Sequence, residues 1–234
     1  MLKRATWPFD FVILICCAFV FLTLGAMALY PGGTTLDPHA TSYHFFENFF
    51  SDLGRPIARG SNKPNDFGAA LFFVALSSAG LALVVFTITF ARFFWGGLAQ
   101  RVATTTAVLF GLLTAYNFIG IAFYRANYYP KEHVAHVFGA FKCFPISVLA
   151  FIIAMLLGRI YPKRGAWVFA AFLAVLLAYL ALLTKGPYPN STQGLMIQAV
   201  GQKIVVYASL LCVGVQSLLA RRYLTATIMS KLSP

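Results

Sequence analysis

Six long runs of apolar residues, separated by short polar segments, dominate this chain. They cover approximately residues 9–30, 67–91, 102–124, 134–158, 166–184 and 195–220. Each run is long enough to cross a bilayer, because a helix of about 20 residues spans the hydrocarbon core. Prolines and polar residues punctuate the runs, as in Pro64-Asn65-Asp66 and Pro130-Lys131-Glu132, where they favour helix starts. The pattern predicts an all-α fold, a polytopic membrane bundle of six transmembrane helices in a single domain, residues 1–234.

Composition supports this prediction and excludes other classes of protein. Hydrophobic residues make up 60% of the 234 residues and charged residues 10%, whereas a soluble domain carries roughly 25% charged residues. The net charge of +12 therefore indicates contact with anionic lipid headgroups rather than nucleic acid. We expect membrane lipids as partners and no cofactor, since no phosphate loop, dinucleotide fingerprint or zinc-protease motif occurs. The four cysteines all lie inside apolar runs and are expected to act as small hydrophobes.

The distribution of Lys and Arg predicts an orientation. Ten of the 18 lie on the side that would hold both termini, six lie on the other side, and two lie inside spans. The richer side should be cytoplasmic, which predicts a cell-membrane protein with both termini inside the cell. The residues expected inside are Lys3, Arg92, Arg159 and Arg222, and those expected outside are His44, Lys131 and Asn190. All four histidines and five of the six acidic residues fall on the outer side, so we expect any chemistry to face outward.

The longest connection, Pro31 to Pro64, carries a helical pattern. Between Tyr43 and Leu53 the phenylalanines and the leucine recur on one face, and polar residues recur on the other. This predicts an amphipathic helix over 43–53. Two arrangements are open: the helix lies on the membrane surface, or its polar face turns inward as a lid over a cavity. The polar face carries His44, Glu47, Asn48, Ser51 and Asp52.

The segment Glu47-Asn48-Phe49-Phe50-Ser51-Asp52-Leu53-Gly54, together with a second span that opens at Asp66-Phe67-Gly68, resembles a family of bacterial multi-pass membrane proteins. In that family Ser-Asp-Leu-Gly follows the first span. More distantly, the chain resembles the DRAM/Frag-type six-helix membrane proteins, which have Ser-Asp-x-Gly at the equivalent place. The resemblance implies a six-span topology in a bacterial inner membrane and roles for Ser51, Asp52 and Gly54.

Two lysines interrupt the apolar runs at about half-depth, Lys142 in the fourth and Lys203 in the sixth. An intramembrane lysine costs about 2.5–3.5 kcal/mol, so each requires a partner. Either they extend to the interface or pair with backbone carbonyls, or both face a cavity open to the outside. In the second case an inward-folded Glu47 or Asp52, or a bound anion, would neutralise them, and Arg125 and Tyr207 would line the same cavity. Asn117 faces either that cavity or a neighbouring helix.

His133 and His136 share a face at the start of the fourth span. With His44 and Asp52 they could form a zinc site of three imidazoles and a carboxylate, although we assign no metal. Three functions follow from these patterns. The favoured one is a protein that binds or transports an anionic lipid or similar amphiphile in an outward-facing polar cavity. The alternatives are a membrane-embedded hydrolase or transferase and a non-catalytic assembly or sensing subunit.

Overall fold

The protein forms a helical bundle in which six helices are long and apolar enough to cross a membrane. The computed structural model describes residues 2–158 and 161–231, and no strand occurs within these ranges. Arg159, expected on the cytoplasmic side, therefore lies outside the described residues. The helices are α1 Leu2–Leu29, α2 Asp66–Ala91, α3 Leu98–Phe123, α4 Pro130–Leu157, α5 Arg164–Lys185 and α6 Thr192–Ser230.

The six helices are arranged as a ring in chain order. Each helix packs against its neighbours in sequence, and α6 closes the ring against α1. The connection between α1 and α2 lies at one end, which we call the loop side, together with the turns after α3 and α5; the other end is the far side. Exposed tryptophans Trp7, Trp95 and Trp167 mark the far side, and exposed tyrosines, including Tyr128 and Tyr188, mark the loop side. Such aromatic residues are typical of the two membrane interfaces.

A cluster of aromatic rings closes the far side of the ring. Phe90 lies at its centre and is fully buried. Its ring lies 5.1 Å from Phe94, 5.3 Å from Phe151, 5.5 Å from Tyr161 and 5.8 Å from Phe169, all edge to face. Edge-to-face pairs are favoured by the ring quadrupole. We call these five residues the aromatic plug, because they fill the space between α2, α4 and α5.

Small residues bring α3 and α4 close together. A side chain at Gly120 would overlap the His136 ring, and one at Gly139 would overlap the Asn117 amide. His136 Nδ1 lies 3.0 Å from Asn117 Oδ1, so a hydrogen bond joins the two helices where the backbones approach. Close approach over small residues with a polar contact is a common way for helices to associate in membranes. Asn117 and His136 therefore belong to a helix–helix contact.

The amphipathic helix expected over 43–53 is not confirmed. A single turn follows His44, whose carbonyl accepts from the amides of Glu47 and Asn48, and a short 3₁₀ helix covers Phe50–Gly54. Polar side chains replace the helical backbone bonds: Asn48 Oδ1 accepts from the His44 amide, and Asp52 Oδ2 accepts from the Phe49 amide. Asn and Asp side chains compete with helical bonding in this way. The periodic pattern is real, but local hydrogen bonds determine the conformation.

Candidate functional site

The 31–65 loop folds over the loop side of the ring as a lid. Its two halves meet at glycines with positive φ, Gly33 at +90° and Gly60 at +79°. At Gly33 a Cβ atom would overlap the carbonyl oxygen of Arg59, so only glycine allows this approach. An antiparallel bridge between Ile57 and Pro64 closes the second half. The lid is therefore an ordered structure held by its own backbone.

Asp52 is the polar centre of the lid. Its carboxylate is 1% exposed and lies between two guanidinium groups, with Oδ1 3.2 Å from Arg55 Nε and 3.0 Å from Arg59 Nε. Burial lowers the pKa of Arg55, and the charge of Arg59 lowers it further, while Asp52 opposes both effects. Asn48 extends this centre, because its Nδ2 donates to the Gly33 carbonyl at 2.8 Å. Asp52 and Asn48 thus organise the lid, and these two residues of the polar face are buried whereas His44 is exposed.

Lys203 on α6 lies directly beneath the lid and is 2% exposed. Its ammonium group donates to the carbonyl oxygens of Asn48 at 2.5 Å and Ala199 at 3.3 Å. The rings of Tyr43 and Phe45 lie 5.4 and 5.0 Å from the same nitrogen, which is within the range of cation–π attraction. The ion pair expected with Asp52 or Glu47 is not present among the described ion pairs. Asp52 instead pairs with the two arginines.

Lys142 lies outside the ring, contrary to the expectation that both lysines face one cavity. Its side chain is exposed on α4, and its nitrogen lies 5.5 Å from the ring of Phe138 on the same helix. The sequence does not predict which way Lys142 points, because α4 is apolar over most of its surface and its pattern does not identify the inward face. Lys142 therefore takes no part in a site beneath the lid.

The three histidines and the carboxylate considered as zinc ligands are not brought together. His44 is exposed on the lid and lies 3.8 Å from Glu47. His133 is buried at the base of α4, where its Nδ1 donates to the Tyr124 carbonyl at 2.9 Å. His136 belongs to the α3–α4 contact. Across residues 2–158 and 161–231, no three His, Cys, Asp or Glu side chains are placed to hold a metal ion.

Three neighbouring internal cavities lie beneath the lid. The smallest, of about 10 Å³, is a corner pocket that Ser51, Arg125 and His133 help to line. An upper cavity of about 40 Å³ reaches from Ser51 to Gln202. A central cavity of about 70 Å³ lies below it, in the middle of the ring. Arg125 itself lies 6.0 Å above the Phe73 ring.

The central cavity is apolar. The one hydroxyl on its wall, Ser209 Oγ, is satisfied by the Val205 carbonyl at 2.7 Å, so no polar group on the wall requires water. An apolar void of this volume costs about 2 kcal/mol in lost contacts. Residues from α1, α2, α3, α4 and α6 form the wall. They are Ile15, Cys16, Phe19, Leu76, Ala79, Ala82, Leu83, Phe118, Phe144, Val206, Ser209, Leu210 and Val213.

On the outer surface of the ring, an apolar groove of about 320 Å³ lies between α1 and α6. We call it the α1/α6 groove. It reaches along α6 from Tyr207 to Leu218, and Cys17 and Val20 of α1 line its other side. Tyr207 forms its loop-side end and contacts the Phe50 ring edge to face at 5.7 Å. Lys203 lies one helical turn above Tyr207 on the same face of α6.

The chain matches no protein-family model, no curated protein and no solved structure. Function must therefore be argued from the arrangement of its own residues.

Sequence reasoning missed several residues that shape this site. Arg55 follows Asp52 by three positions, a spacing that favours an ion pair, and could have been recognised. Gln202 accepts a hydrogen bond from the Phe50 amide at 2.7 Å, which joins the lid to α6. Gln216 does bond between helices, donating to the Gly165 carbonyl at 2.7 Å. The apolar groove has no sequence signal, because its lining is ordinary for a transmembrane helix.

Proposed function

We propose that this protein binds an anionic lipid or a similar amphiphile. The charged headgroup pairs with Lys203 beneath the lid, and the apolar part lies in the α1/α6 groove. The observation that carries the proposal is the bonding of Lys203, whose ammonium group is buried against two backbone carbonyls and two aromatic rings.

An ammonium group buried in this way is incompletely neutralised. It has three N–H donors, and two acceptors are present, both of them neutral carbonyls. Placing a lysine at the centre of a membrane span costs about 2.5–3.5 kcal/mol, so a bound anion would stabilise the protein. The phosphate or carboxylate of an amphiphile supplies that charge, and basic pockets between spans are a known way of holding lipid headgroups.

The position of Lys203 also favours an amphiphile over a small anion. The groove begins one turn below it, at Tyr207, so a headgroup at Lys203 places its attached chain directly over an apolar surface. The cover above Lys203 is thin, since Phe45 is 42% exposed. Moving the Tyr43 and Phe45 rings would uncover the ammonium group while Asp52 and its two arginines keep the rest of the lid in place.

Lipid retention by matched lysine variants tests the proposal. Lys203→Met removes the buried charge, and Lys142→Met makes the same chemical change on the exposed surface of α4. Native mass spectrometry of the protein purified in mild detergent should show bound anionic lipid in the wild type and in Lys142→Met. We expect at least a tenfold lower occupancy in Lys203→Met. Equal occupancy in all three proteins would refute the proposal.

A second measurement guards against misfolding of the Lys203 variant. The wild-type protein, exchanged into detergent micelles with equal amounts of phosphatidylglycerol and phosphatidylcholine, should retain the anionic phosphatidylglycerol preferentially. Equal retention of the two lipids would mean that no buried cation selects the headgroup.

We further propose that the loop side faces the exterior of the cell and that both termini are cytoplasmic. The excess of Lys and Arg on the far side supports this orientation. Single cysteines introduced at Lys131 and Asn190 should react with a membrane-impermeant maleimide on intact cells, whereas one at Arg92 should not. The opposite labelling pattern would reverse the orientation.

A further inference from the structure

The α1/α6 groove and the central cavity share two wall residues. Cys16 of α1 and Leu210 of α6 line both the groove on the outside of the ring and the cavity within it. The wall between the two spaces is therefore a single layer of side chains at this point. From this continuity, and resting on the proposed function, we infer that one acyl chain of the bound amphiphile enters sideways from the bilayer between Cys16 and Leu210 and places its end in the central cavity.

The dimensions of the groove fit one acyl chain. From Tyr207 to Leu218 the groove follows eleven residue steps of α6, or about 16 Å at the helical rise. One leaflet accounts for half of a hydrocarbon core about 30 Å thick. The length of the groove therefore matches the thickness of the hydrocarbon layer of one leaflet. The opening at Leu210 lies three residue steps below Tyr207, or about 4.5 Å, so the chain would follow the upper part of the groove and the 70 Å³ of the central cavity would accept its end.

The chemistry of the cavity favours the same occupant. Its wall is apolar, and its one hydroxyl is satisfied by the backbone, so a hydrocarbon gains contacts there that water would not. The aromatic plug closes the far side, and the lid covers the loop side with Phe50 and Ser51 over the upper cavity. Between α1 and α6, the layer that contains Cys16 and Leu210 separates the cavity from the groove on the outer surface.

The groove also presents little obstruction to a chain. A side chain added at Gly214 would meet no atom within 4 Å, so α6 has open space on its groove face at this level. Tyr207 at the loop-side end connects the groove to Lys203 above it. A chain anchored by its headgroup at Lys203 would pass Tyr207 before it reaches Leu210.

Photo-crosslinking with palmitate that carries a diazirine near its methyl end tests this inference on the purified full-length protein. We expect adducts on Leu83 and Phe144, which line the central cavity but not the groove, as well as on Leu211 in the groove. Phe144 is 4% exposed, so lipid around the ring cannot label it. Wild-type adducts confined to the groove or to the outer surface of the ring would overturn the inference.

Closing the opening supplies the decisive comparison. Leu210→Trp enlarges the side chain between groove and cavity, and should lower the Leu83 and Phe144 adducts at least tenfold while groove adducts persist. Leu177→Trp, a matched change on the lipid-facing surface of α5, should leave both sets unchanged. If Leu210→Trp does not fold, Cys16→Phe closes the opening from α1. Cavity adducts that persist in the folded variant would refute lateral entry.

The same adducts separate this inference from the proposed function. Lys203→Met should remove groove and cavity adducts together if the headgroup is held there. Cavity adducts that are undiminished in Lys203→Met would refute the role of Lys203 and leave lateral entry standing. Groove adducts that depend on Lys203, without any in the cavity, would support the proposed function and refute lateral entry.

Discussion

The ion pairs of Asp52 give a quantitative prediction about the lid. Asp52→Asn keeps the shape of the side chain and an oxygen that accepts from the Phe49 amide, but removes the charge that neutralises Arg55 and Arg59. Removing one member of a buried ion pair costs about 3–5 kcal/mol. We use the lower end of this range, because the side chains of Arg59 and Arg55 are 33% and 15% exposed and water screens them in part.

Hydrogen–deuterium exchange measures this change where it occurs. The lid can open without unfolding the six helices, so its amides report local stability. A loss of about 3 kcal/mol corresponds to roughly a hundredfold faster exchange, which we expect at the Phe49 and Arg59 amides. Helix amides in α4 should be unaffected, because that helix makes no described ion pair with Asp52.

Glu47→Gln is the control for Asp52→Asn. Glu47 is a carboxylate on the same segment, 28% exposed and 3.8 Å from an exposed His44, and an exposed pair contributes at most about 1 kcal/mol. Its neutralisation should change lid exchange by no more than a few-fold. If the two variants exchange alike, the Asp52 carboxylate does not hold the lid, and the reasoning from its burial is wrong.

Three further predictions concern other parts of the structure. Gly33→Ala should destabilise the lid by at least about 2 kcal/mol, because φ is positive there and a Cβ meets the Arg59 carbonyl. Gly97→Ala is the control, since its Cβ would have open space, and it should have little effect in the same exchange assay. Phe90→Ala should lower the thermal midpoint measured by circular dichroism, by the equivalent of about 3–5 kcal/mol, since it empties the centre of the aromatic plug; a midpoint shift no larger than that of Leu177→Ala would contradict this. Burial, together with a smaller contribution from the charge of Asp52, raises the pKa of Tyr30 to about 12. A free tyrosine ionises near 10, so lid stability should fall as pH rises from about 10 to about 12. Tyr30→Phe should reduce that dependence, and the part that remains belongs to Tyr43, whose pKa burial also raises.

The sequence predicts the helices well because lipid imposes a simple length requirement. All six spans occur where the apolar runs lie, but the helices extend beyond their runs, most of all α1, which begins at Leu2, and α6. The sixth run ends near residue 220, whereas α6 continues to Ser230. Hydropathy marks where lipid ends, and a helix can continue beyond it. Here Thr225 and Thr227 donate to carbonyls four residues earlier, and residues 221–230 contain no glycine or proline.

The site was only partly predictable, for a different reason. Lys142 and Lys203 are equivalent as sequence signals, since each is a lone cation in an apolar run. Their environments differ, because Lys142 lies on the outer surface of α4 and Lys203 lies on α6 under the lid. When a helix is apolar on all sides, packing against neighbouring helices decides which side points into the bundle. The same limit applies to Asp52, whose partners depend on a loop conformation set by side-chain hydrogen bonds.

The aromatic plug has a consequence for the passage of molecules across the membrane. Phe90 and the rings around it are packed edge to face, so a passage to the far side would require several large side chains to change rotamer together. If the proposed function holds, the cavities beneath the lid are closed at the far side, and a chain that enters them returns to the leaflet from which it came. On that proposal, the plug would let the protein hold lipid from one leaflet without opening a passage to the other.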